Sequence, residues 1–244
     1  MKYVQKLNEE QKEAKITLTH VFAYALAWGL YKVRRDIGRF PFGFFKHSKK
    51  IGITVLCDVE GGSDLVPITL FDVHKGTIID FARQCNERVM KAKNKQDKAH
   101  NQTTASANFL PSFVLQPMLN LFSYISIYFD LSIPGVVKKD SSGHYILTNV
   151  GSLGMQQAVA PLCPPMRTMG LVCLGKGRKA PLVIDGEIKI QDVVSVTLTG
   201  DHRYGDAGLL LPMLEVVRGY LKDPENFDHT KYKENVHFSE KKTN

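Results

Sequence analysis

The chain has 244 residues, of which 43% are hydrophobic and 23% are charged. This composition excludes a disordered or collagen-like chain, and the length predicts one domain, or two at most. The 32 Lys and Arg side chains outnumber the 24 Asp and Glu side chains, for a formal net charge of +8. Such a charge suits a phosphate-bearing ligand, a nucleic acid or an anionic surface, and charge alone does not choose among them.

The four cysteines contain no C-x-x-C pair and do not cluster with histidine at metal-ligand spacing; they are Cys57, Cys85, Cys163 and Cys173. The sequence therefore predicts neither a disulfide framework nor a metal site, and it favours a reducing compartment. Residues 1–15 mix lysines with glutamates and lack an apolar core. They resemble neither a secretory signal nor an acid-poor transit peptide, so we expect a cytoplasmic protein.

The first predicted elements are a buried helix and a hairpin. From Thr17 the sequence THVFAYALAWGLYKV is apolar all round a helical wheel, which is typical of a helix buried on most sides. Lys50–Cys57 and Leu65–Leu70 alternate, are rich in β-branched residues and flank a Gly-Gly turn. Pro67 indicates that the second strand lies at a sheet edge or contains a bulge.

A second helix is predicted over Ile78–Lys98, with Thr77 as its N-cap. Its second half is strongly basic. The run Arg88–Lys98 suits either contact with phosphates or a solvated helix face, and the solvated face is the favoured interpretation.

The stretch Asn101–Phe129 contains no Asp, Glu, Lys or Arg. Its later part places one set of apolar residues on a single helical face, namely Leu115, Met118, Leu119, Phe122, Ile125 and Phe129. Polar residues and two prolines argue against a membrane span, which needs about 20 consecutive apolar residues. We expect a helix buried in the protein or at an interface. A wall for an acyl chain, or a contact with a membrane surface, is the second interpretation.

The C-terminal half is rich in predicted strands. These strands cover Tyr145–Val150, Met169–Lys176, the two arms of PLVIDGEIKI around an Asp-Gly turn, and Val193–Thr199. A helix is predicted over Leu209–Lys222, and a polar tail follows it.

A polar motif joins the last predicted strand to the last predicted helix: Asp201-His202-Arg203-Tyr204-Gly205-Asp206. A strand-to-helix corner fixes an imidazole, and the carboxylate four residues later is near enough to organise its surroundings. Taken alone, the motif is more often an ordinary polar turn.

The motif resembles the D-H-R-x-x-D-G signature of the acyltransferase (E2) catalytic domain of 2-oxo acid dehydrogenase complexes, a domain of the chloramphenicol-acetyltransferase-like superfamily. Four further stretches follow that family's order. They are KITLTHVFAYALAWGL, like its first long helix; KIGITVLC through FARQ, like its strand pair and helix; ILTNVGSLG, like "TISNLGMFG"; and PPMRTMGLVCLGKG, like "PPQ…AILGVG". The resemblance covers about residues 15–222.

The resemblance implies an α/β fold in two layers, a mixed sheet covered by helices, over residues 1–222, which include an apolar insertion at about 101–134. Residues 223–244 form the predicted tail. It also implies a homotrimer, with larger cages as an extension. The implied chemistry is transfer of an acyl group between coenzyme A, as acyl-CoA substrate, and a thiol acceptor of the dihydrolipoyl type.

Three residues carry the implied mechanism. His202 matches the family's catalytic base, and Asp206 matches the second acidic position, which organises the loop. Thr148 falls on the hydroxyl credited with hydrogen-bonding the tetrahedral intermediate, although Thr148 and Asn149 also suit a plain polar strand end. Acyl transfer between thiols needs a base to form a thiolate and a donor for the oxyanion. In the family these groups come from neighbouring subunits, so His202 and Thr148 are expected to meet only between chains.

The chain also departs from the family. Ala207 stands where the signature has Gly, and its Cβ is expected to reshape the turn. The sequence contains no lipoyl domain, so no lipoyl group is expected on this chain and the acceptor would be a lipoyl-bearing protein, or another thiol, in trans. These departures favour the alternative, an E2-like scaffold with vestigial activity, whereas the three site residues favour the enzyme. No nucleic-acid recognition motif accompanies the positive charge.

Overall fold

The computed structural model of the chain describes residues 2–40, 43–58, 65–93, 111–129 and 142–232. In chain order its main elements are α1 (Lys2–Glu10), α2 (Leu18–Lys32), β1 (Gly38–Arg39), β2 (Lys46–His47), β3 (Gly52–Asp58), β4 (Leu65–Phe71), α3 (Ile78–Lys93), α4 (Ser112–Phe129), β5 (Tyr145–Asn149), β6 (Gly170–Leu174), β7 (Arg178–Ile184), β8 (Glu187–Val193), β9 (Val196–Gly200) and α5 (Ala207–Lys222). The predicted tail from 233 onward, and residues 94–98 of the predicted second helix, lie outside the described residues.

Five strands form one mixed sheet in the order β4-β3-β5-β6-β9. β3 and β4 are antiparallel, β3 is parallel to β5, β5 is parallel to β6, and β6 is antiparallel to β9. The predicted mixed α/β sheet is confirmed. Pro67 lies in β4 at the edge of the sheet, where its missing N–H breaks no ladder bond to a further strand.

Helix α2 is the centre of the helical layer. It contacts β3 and β5 of the sheet and also α3 and α5, which explains why its sequence is apolar on all sides. A Cβ at Gly29 would lie 2.8 Å from the Met213 carbonyl oxygen, so the glycine permits the close approach of α5. The first helix, α1, was not predicted; it lays Tyr3, Val4 and Leu7 against the same core.

The sheet has two differently covered faces. On the helical face lie Tyr145 and Leu147 of β5 with Val172 and Leu174 of β6, within the main core. The alternate residues Ile146, Leu171 and Cys173 lie on the other face, against the segment that contains Ala160, Leu162 and Met166. Strand alternation places Thr148 on this second face, with Ile146.

Helix α4 confirms a helix in the uncharged stretch. Its predicted apolar face is half-buried within this chain, and burial of the rest at an interface stays a prediction. Ser123 and Ser126 are buried at 6% exposure each. Ser123 Oγ accepts from Arg167 Nε (3.0 Å) and donates to the Asn120 carbonyl of its own helix (2.8 Å). Of the predicted face, the side chain of Phe129 lies outside the described residues. Within the described part of the chain, no helix is long and apolar enough to cross a membrane.

Strands β7 and β8 form a separate two-stranded hairpin around the predicted Asp185-Gly186 turn. Both turn residues have positive φ, 54° and 81°, as the tight hairpin turn requires. Val183 faces Ile188 across the ladder, and both are about three-quarters exposed (73% and 78%). The single predicted strand Val193–Thr199 is instead split, because β8 ends at Val193 and the chain changes sheets before β9 begins.

Candidate active site

The turn that follows β9 is held rigidly by its own polar groups. The Asp201 N–H donates to the Met169 carbonyl (2.9 Å), and the Tyr204 N–H donates to the Asp201 carbonyl (3.0 Å). The Arg203 guanidinium meets the Asp201 carboxylate through Nε (2.9 Å) and Nη2 (2.5 Å). This pairing holds the pKa of Asp201 below its usual value. The backbone of the residue between Asp201 and Arg203 is therefore fixed.

That residue is His202, and its side chain is exposed. Asp201 and Arg203 on either side of it bind each other, and no described residue hydrogen-bonds the imidazole. On the next residue, the ring of Tyr204 packs on Phe40 with ring centroids 4.9 Å apart and anchors the turn to the body of the chain. Burial raises the pKa of Tyr204, so its hydroxyl stays protonated. His202 is thus offered outward on an anchored turn.

Asp206 is the N-cap of α5. Its Oδ1 accepts from the Gly208 N–H at 2.8 Å, and its backbone carbonyl accepts from the N–H of Leu209 (3.1 Å). The carboxylate satisfies one of the free N–H groups at the helix start and faces the positive end of its dipole. This contact fixes where the turn ends and the helix begins.

The expectation that Ala207 would reshape the turn is wrong. Ala207 is the first residue of α5, its side chain is exposed, and it is not among the residues with positive φ. A right-handed helical position accepts a Cβ without strain. One of the two arguments for a vestigial scaffold is therefore removed.

Thr148 lies near the carboxyl end of β5, between Leu56 of β3 and Cys173 of β6, and is half-buried. The next residue, Asn149, points to the helical side, where its Nδ2 donates to Thr19 Oγ1 at 2.9 Å. Ser152 Oγ then donates to the Asn149 carbonyl at 2.6 Å. The end of β5 is therefore tied both to α2 and to the turn after it.

One chain does not bring Thr148 and His202 together. Thr148 is level with Cys173 and Thr197, whereas Gly200, the last residue of β9, is level with Gly170 and Tyr145. Two strand spacings of about 4.8 Å and three residues of about 3.3 Å put the Cα atoms of Thr148 and Gly200 about 14 Å apart. His202 lies two residues beyond Gly200 and farther from Thr148. The two groups therefore face opposite ends of the sheet.

Three cations follow β6 at the Thr148 end of the sheet, and the sequence reasoning did not single them out. Lys176, Arg178 and Lys179 are exposed, and none pairs with a carboxylate among the described residues. The available signal was three basic residues in four positions after a buried strand. The run that was considered, Arg88–Lys98, is partly engaged, since Arg88 Nη1 donates to the Thr69 carbonyl at 2.5 Å.

No group of His, Cys, Asp and Glu among the described residues is arranged to hold a metal ion. All four cysteines are free thiols, and burial raises the pKa of Cys57 to about 11 and of Cys85 to about 12. Neutral buried thiols of this kind are poor nucleophiles. These pKa values argue against a nucleophilic role for Cys57 and Cys85, whereas Cys163 is exposed.

Part of the chain is similar to a known family. Residues 138–227, which include Thr148, His202 and Asp206, match the family described as 2-oxoacid dehydrogenases acyltransferase (catalytic domain). The dihydrolipoyllysine-residue acetyltransferase component of pyruvate dehydrogenase from Rickettsia felis is 19% identical over 91% of the chain and 43% of its own length. The corresponding Rhizobium meliloti protein is 30% identical over 34% of the chain and 18% of its own length. The chain thus spans less than half of the length of these curated relatives.

Solved structures of such acyltransferase domains share the fold. A probable dihydrolipoamide acetyltransferase from Listeria monocytogenes has a TM-score of 0.64 at 18% identity, covering 91% of this chain and 78% of its own. The cubic core of a pyruvate dehydrogenase multienzyme complex also has a TM-score of 0.64, at 15% identity over 91% of this chain and 75% of its own. The Azotobacter vinelandii dihydrolipoamide acetyltransferase gives a TM-score of 0.64 at 16% identity, with coverage of 91% and 75%. The predicted chloramphenicol-acetyltransferase-like α/β fold is therefore confirmed.

Proposed function

We propose that this chain is an acyltransferase that moves an acyl group between coenzyme A and a thiol acceptor. The observation that carries the proposal is the exposed His202 on a braced turn, together with a half-buried hydroxyl, Thr148, at the opposite end of the same sheet. The curated relatives support the reaction class, since both are dihydrolipoyllysine-residue acetyltransferases.

In the proposed mechanism, the imidazole of His202 takes the proton of the acceptor thiol, and the resulting thiolate attacks the thioester carbonyl. A new C–S bond forms as the carbonyl oxygen becomes an oxyanion, to which the Thr148 hydroxyl donates. When the intermediate collapses, the bond to the leaving sulfur breaks, and the imidazolium of His202 returns the proton to that thiolate. No acyl-enzyme is formed and no net redox change occurs.

The spacing of Asp206 supports this assignment. In the Azotobacter vinelandii enzyme the catalytic mechanism has been investigated through a serine, a histidine and an asparagine four residues after that histidine. Here Asp206 follows His202 by the same interval, and Thr148 supplies a hydroxyl as serine does. As the N-cap of α5, Asp206 would act by fixing the end of the His202 turn.

Because His202 and Thr148 lie at opposite ends of one sheet, we propose that each site is built between two copies, in a homotrimer. The hairpin β7–β8 supports such an assembly, since an isolated two-stranded hairpin with an apolar exposed face is only marginally stable in water. Larger cages made from trimers are the extension that the similarity to a cubic core suggests.

Coenzyme A suits this site as the donor or acceptor of the acyl group because of three cations, Lys176, Arg178 and Lys179. Unpaired cations at the end of the sheet where Thr148 lies would attract its phosphates while the thioester reaches the hydroxyl. Replacing Lys176 and Arg178 with alanine should raise the KM for acyl-CoA about tenfold or more and leave kcat nearly unchanged. Lys189→Ala is the matched control, because Lys189 is also on the hairpin but is paired with Glu187. Equal effects in both variants would remove the phosphate contact from the proposal.

The remaining assignments follow from this chemistry. We propose a dihydrolipoyl group as the acceptor, with the reaction taking place in the cytoplasm. The scaffold alternative predicts the fold and assembly without turnover.

The test measures free coenzyme A by liquid chromatography, because the acceptor is itself a thiol and would react with thiol reagents. Acyl-CoA esters of increasing chain length are incubated with and without dihydrolipoamide, using wild type and His202→Ala. We expect release that requires the acceptor and falls by about 10²–10⁴-fold in His202→Ala. Release that a folded His202→Ala chain catalyses equally well contradicts the mechanism, and no release from any ester supports the scaffold.

A further inference from the structure

Helix α4 is held to the body of the chain by Arg167. The Arg167 guanidinium lies over the Tyr124 ring, 3.5 Å from its centroid, and Arg167 Nε also donates to Ser123 Oγ at 3.0 Å. Ser123 is buried. The planar guanidinium therefore holds two consecutive residues of α4 at once, by a cation–π contact and by a hydrogen bond.

Arg167 belongs to the segment on which the His202 turn is built. It takes a left-handed conformation (φ 49°), and its carbonyl accepts from Arg39 Nη1 at 3.1 Å. Two residues later, the Met169 carbonyl accepts the Asp201 N–H at 2.9 Å. Tyr124 is thus linked to Asp201, the first residue of the turn, through the stacked Arg167 guanidinium and the backbone from Arg167 to Met169.

Tyr124 also lies close to the far side of the turn. The Arg203 guanidinium is bound by the Asp201 carboxylate, which raises the pKa of Arg203, and the Tyr124 phenol is among the neighbouring groups that add to this effect. Tyr124 is therefore in contact with Arg167 and exerts an electrostatic effect on Arg203, which adjoins His202.

We infer that α4 positions His202, with Tyr124 and Arg167 as positioning residues that brace the Asp201–Arg203 pair. The inference rests on the proposed function and assigns a role to the uncharged stretch, which that function leaves unexplained. The His202 side chain makes no hydrogen bond, ion pair or ring contact with a described residue, so its orientation depends on the backbone that its neighbours hold. A misplacement of about 1 Å at a catalytic group can cost about 10²-fold in rate.

The kinetic test compares Tyr124→Leu and Arg167→Lys with wild type, using acetyl-CoA and dihydrolipoamide. Tyr124→Leu removes the ring and the phenol, while Arg167→Lys keeps the charge and removes the planar stack. We expect kcat to fall about 10–100-fold in both, with the KM for acetyl-CoA within about twofold of wild type. Tyr124→Phe keeps the stack and should lie between them and wild type. The matched control is Phe113→Leu, an aromatic residue of the same helix that is 79% exposed.

A second measurement does not need activity. With histidines labelled at Cε1, the NMR resonance of His202 is identified by its absence in His202→Gln. We expect that resonance to broaden or split in Tyr124→Leu and Arg167→Lys, while the resonance of His20, which is buried in α2, stays unchanged. The inference is overturned if the His202 resonance and kcat both remain as in wild type, or if Phe113→Leu produces the same loss. If wild type transfers no acyl group, the proposed function fails and the NMR comparison alone decides the positioning role; a Tyr124→Leu chain that does not fold leaves the decision to Arg167→Lys and Tyr124→Phe.

Discussion

The sharing of one active site between two chains can be tested by mixing inactive subunits. In one chain the Cα atoms of Thr148 and Gly200 are about 14 Å apart by strand geometry, and His202 is farther still. A site that needs both groups must therefore take His202 from one copy and Thr148 from its neighbour. We therefore expect His202→Ala and Thr148→Ala chains to be nearly inactive alone and to restore activity together.

The expected magnitude follows from counting subunits around a closed ring. When the two variants are co-expressed in equal amounts, each interface receives an intact His202 with a chance of one half and an intact Thr148 with the same chance. About one quarter of the sites are then complete, so the mixture should have about one quarter of the wild-type activity. The assay is release of coenzyme A by the whole purified mixture, with the same affinity tag on both variants so that no assembly is lost.

A control with wild type separates the two arrangements further. The double variant His202→Ala/Thr148→Ala, co-expressed with wild type, should give about one quarter of full activity if sites are shared and about one half if each chain has its own. Mixed single variants that remain inactive, together with one half in the control, would refute the reasoning from the sheet register.

Three further predictions concern single positions. Thr148→Ala should lower kcat by about 10²–10³-fold with KM nearly intact, and Thr148→Ser should recover most of the loss, because an oxyanion donor acts on the transition state; a loss confined to KM would make Thr148 a binding residue. Asp206→Ala should lower the free energy of unfolding by about 1 kcal/mol through loss of the α5 cap, whereas Asp206→Asn should keep most of it, as measured by urea denaturation; equal losses would contradict the capping role. Burial lowers the pKa of His20 to about 4 and of His144 to about 3, from 6.5. As the pH falls below about 6.5, the unfolded state therefore binds protons that the folded state does not, and the urea midpoint of unfolding should fall between pH 6.5 and about 4. A urea midpoint that stays constant across this range would show that neither histidine is neutral and buried.

The sequence predicted the elements whose patterns are local. The buried α2 was evident from an apolar helical wheel, the β7–β8 turn from Asp185-Gly186, and the His202 turn from a polar motif between a strand and a helix. Each depends on residues within one element or its ends. Helix α1 was missed because its short apolar side is mixed with charges, and it is held by a contact eight residues away, where Asn8 binds the backbone of Ile16.

The features that were missed or misjudged depend on partners far along the chain. The contact that holds α4 was not predicted, because Arg167, which binds Ser123, is 44 residues away in the sequence. The hydrophobic pattern predicted contacts through the apolar face, and no residue near α4 in the sequence indicates that Arg167 binds Ser123. The separation of Thr148 from His202 likewise needs the register of β5, β6 and β9, which no local pattern contains. The candidate residues were therefore predictable one by one, while their arrangement was not.

Because of the exposed β7–β8 hairpin, the stability of this protein should depend on its concentration. A single copy leaves Val183, Ile188 and Ile190 in water on two strands with no third strand beside them. Such a surface favours edge pairing and aggregation. In the proposed homotrimer, association would cover this surface and add to the folding free energy by mass action, so the midpoint of thermal unfolding should rise with protein concentration. At low concentration the proposed trimer would dissociate, and the separate chains would be degraded by proteases.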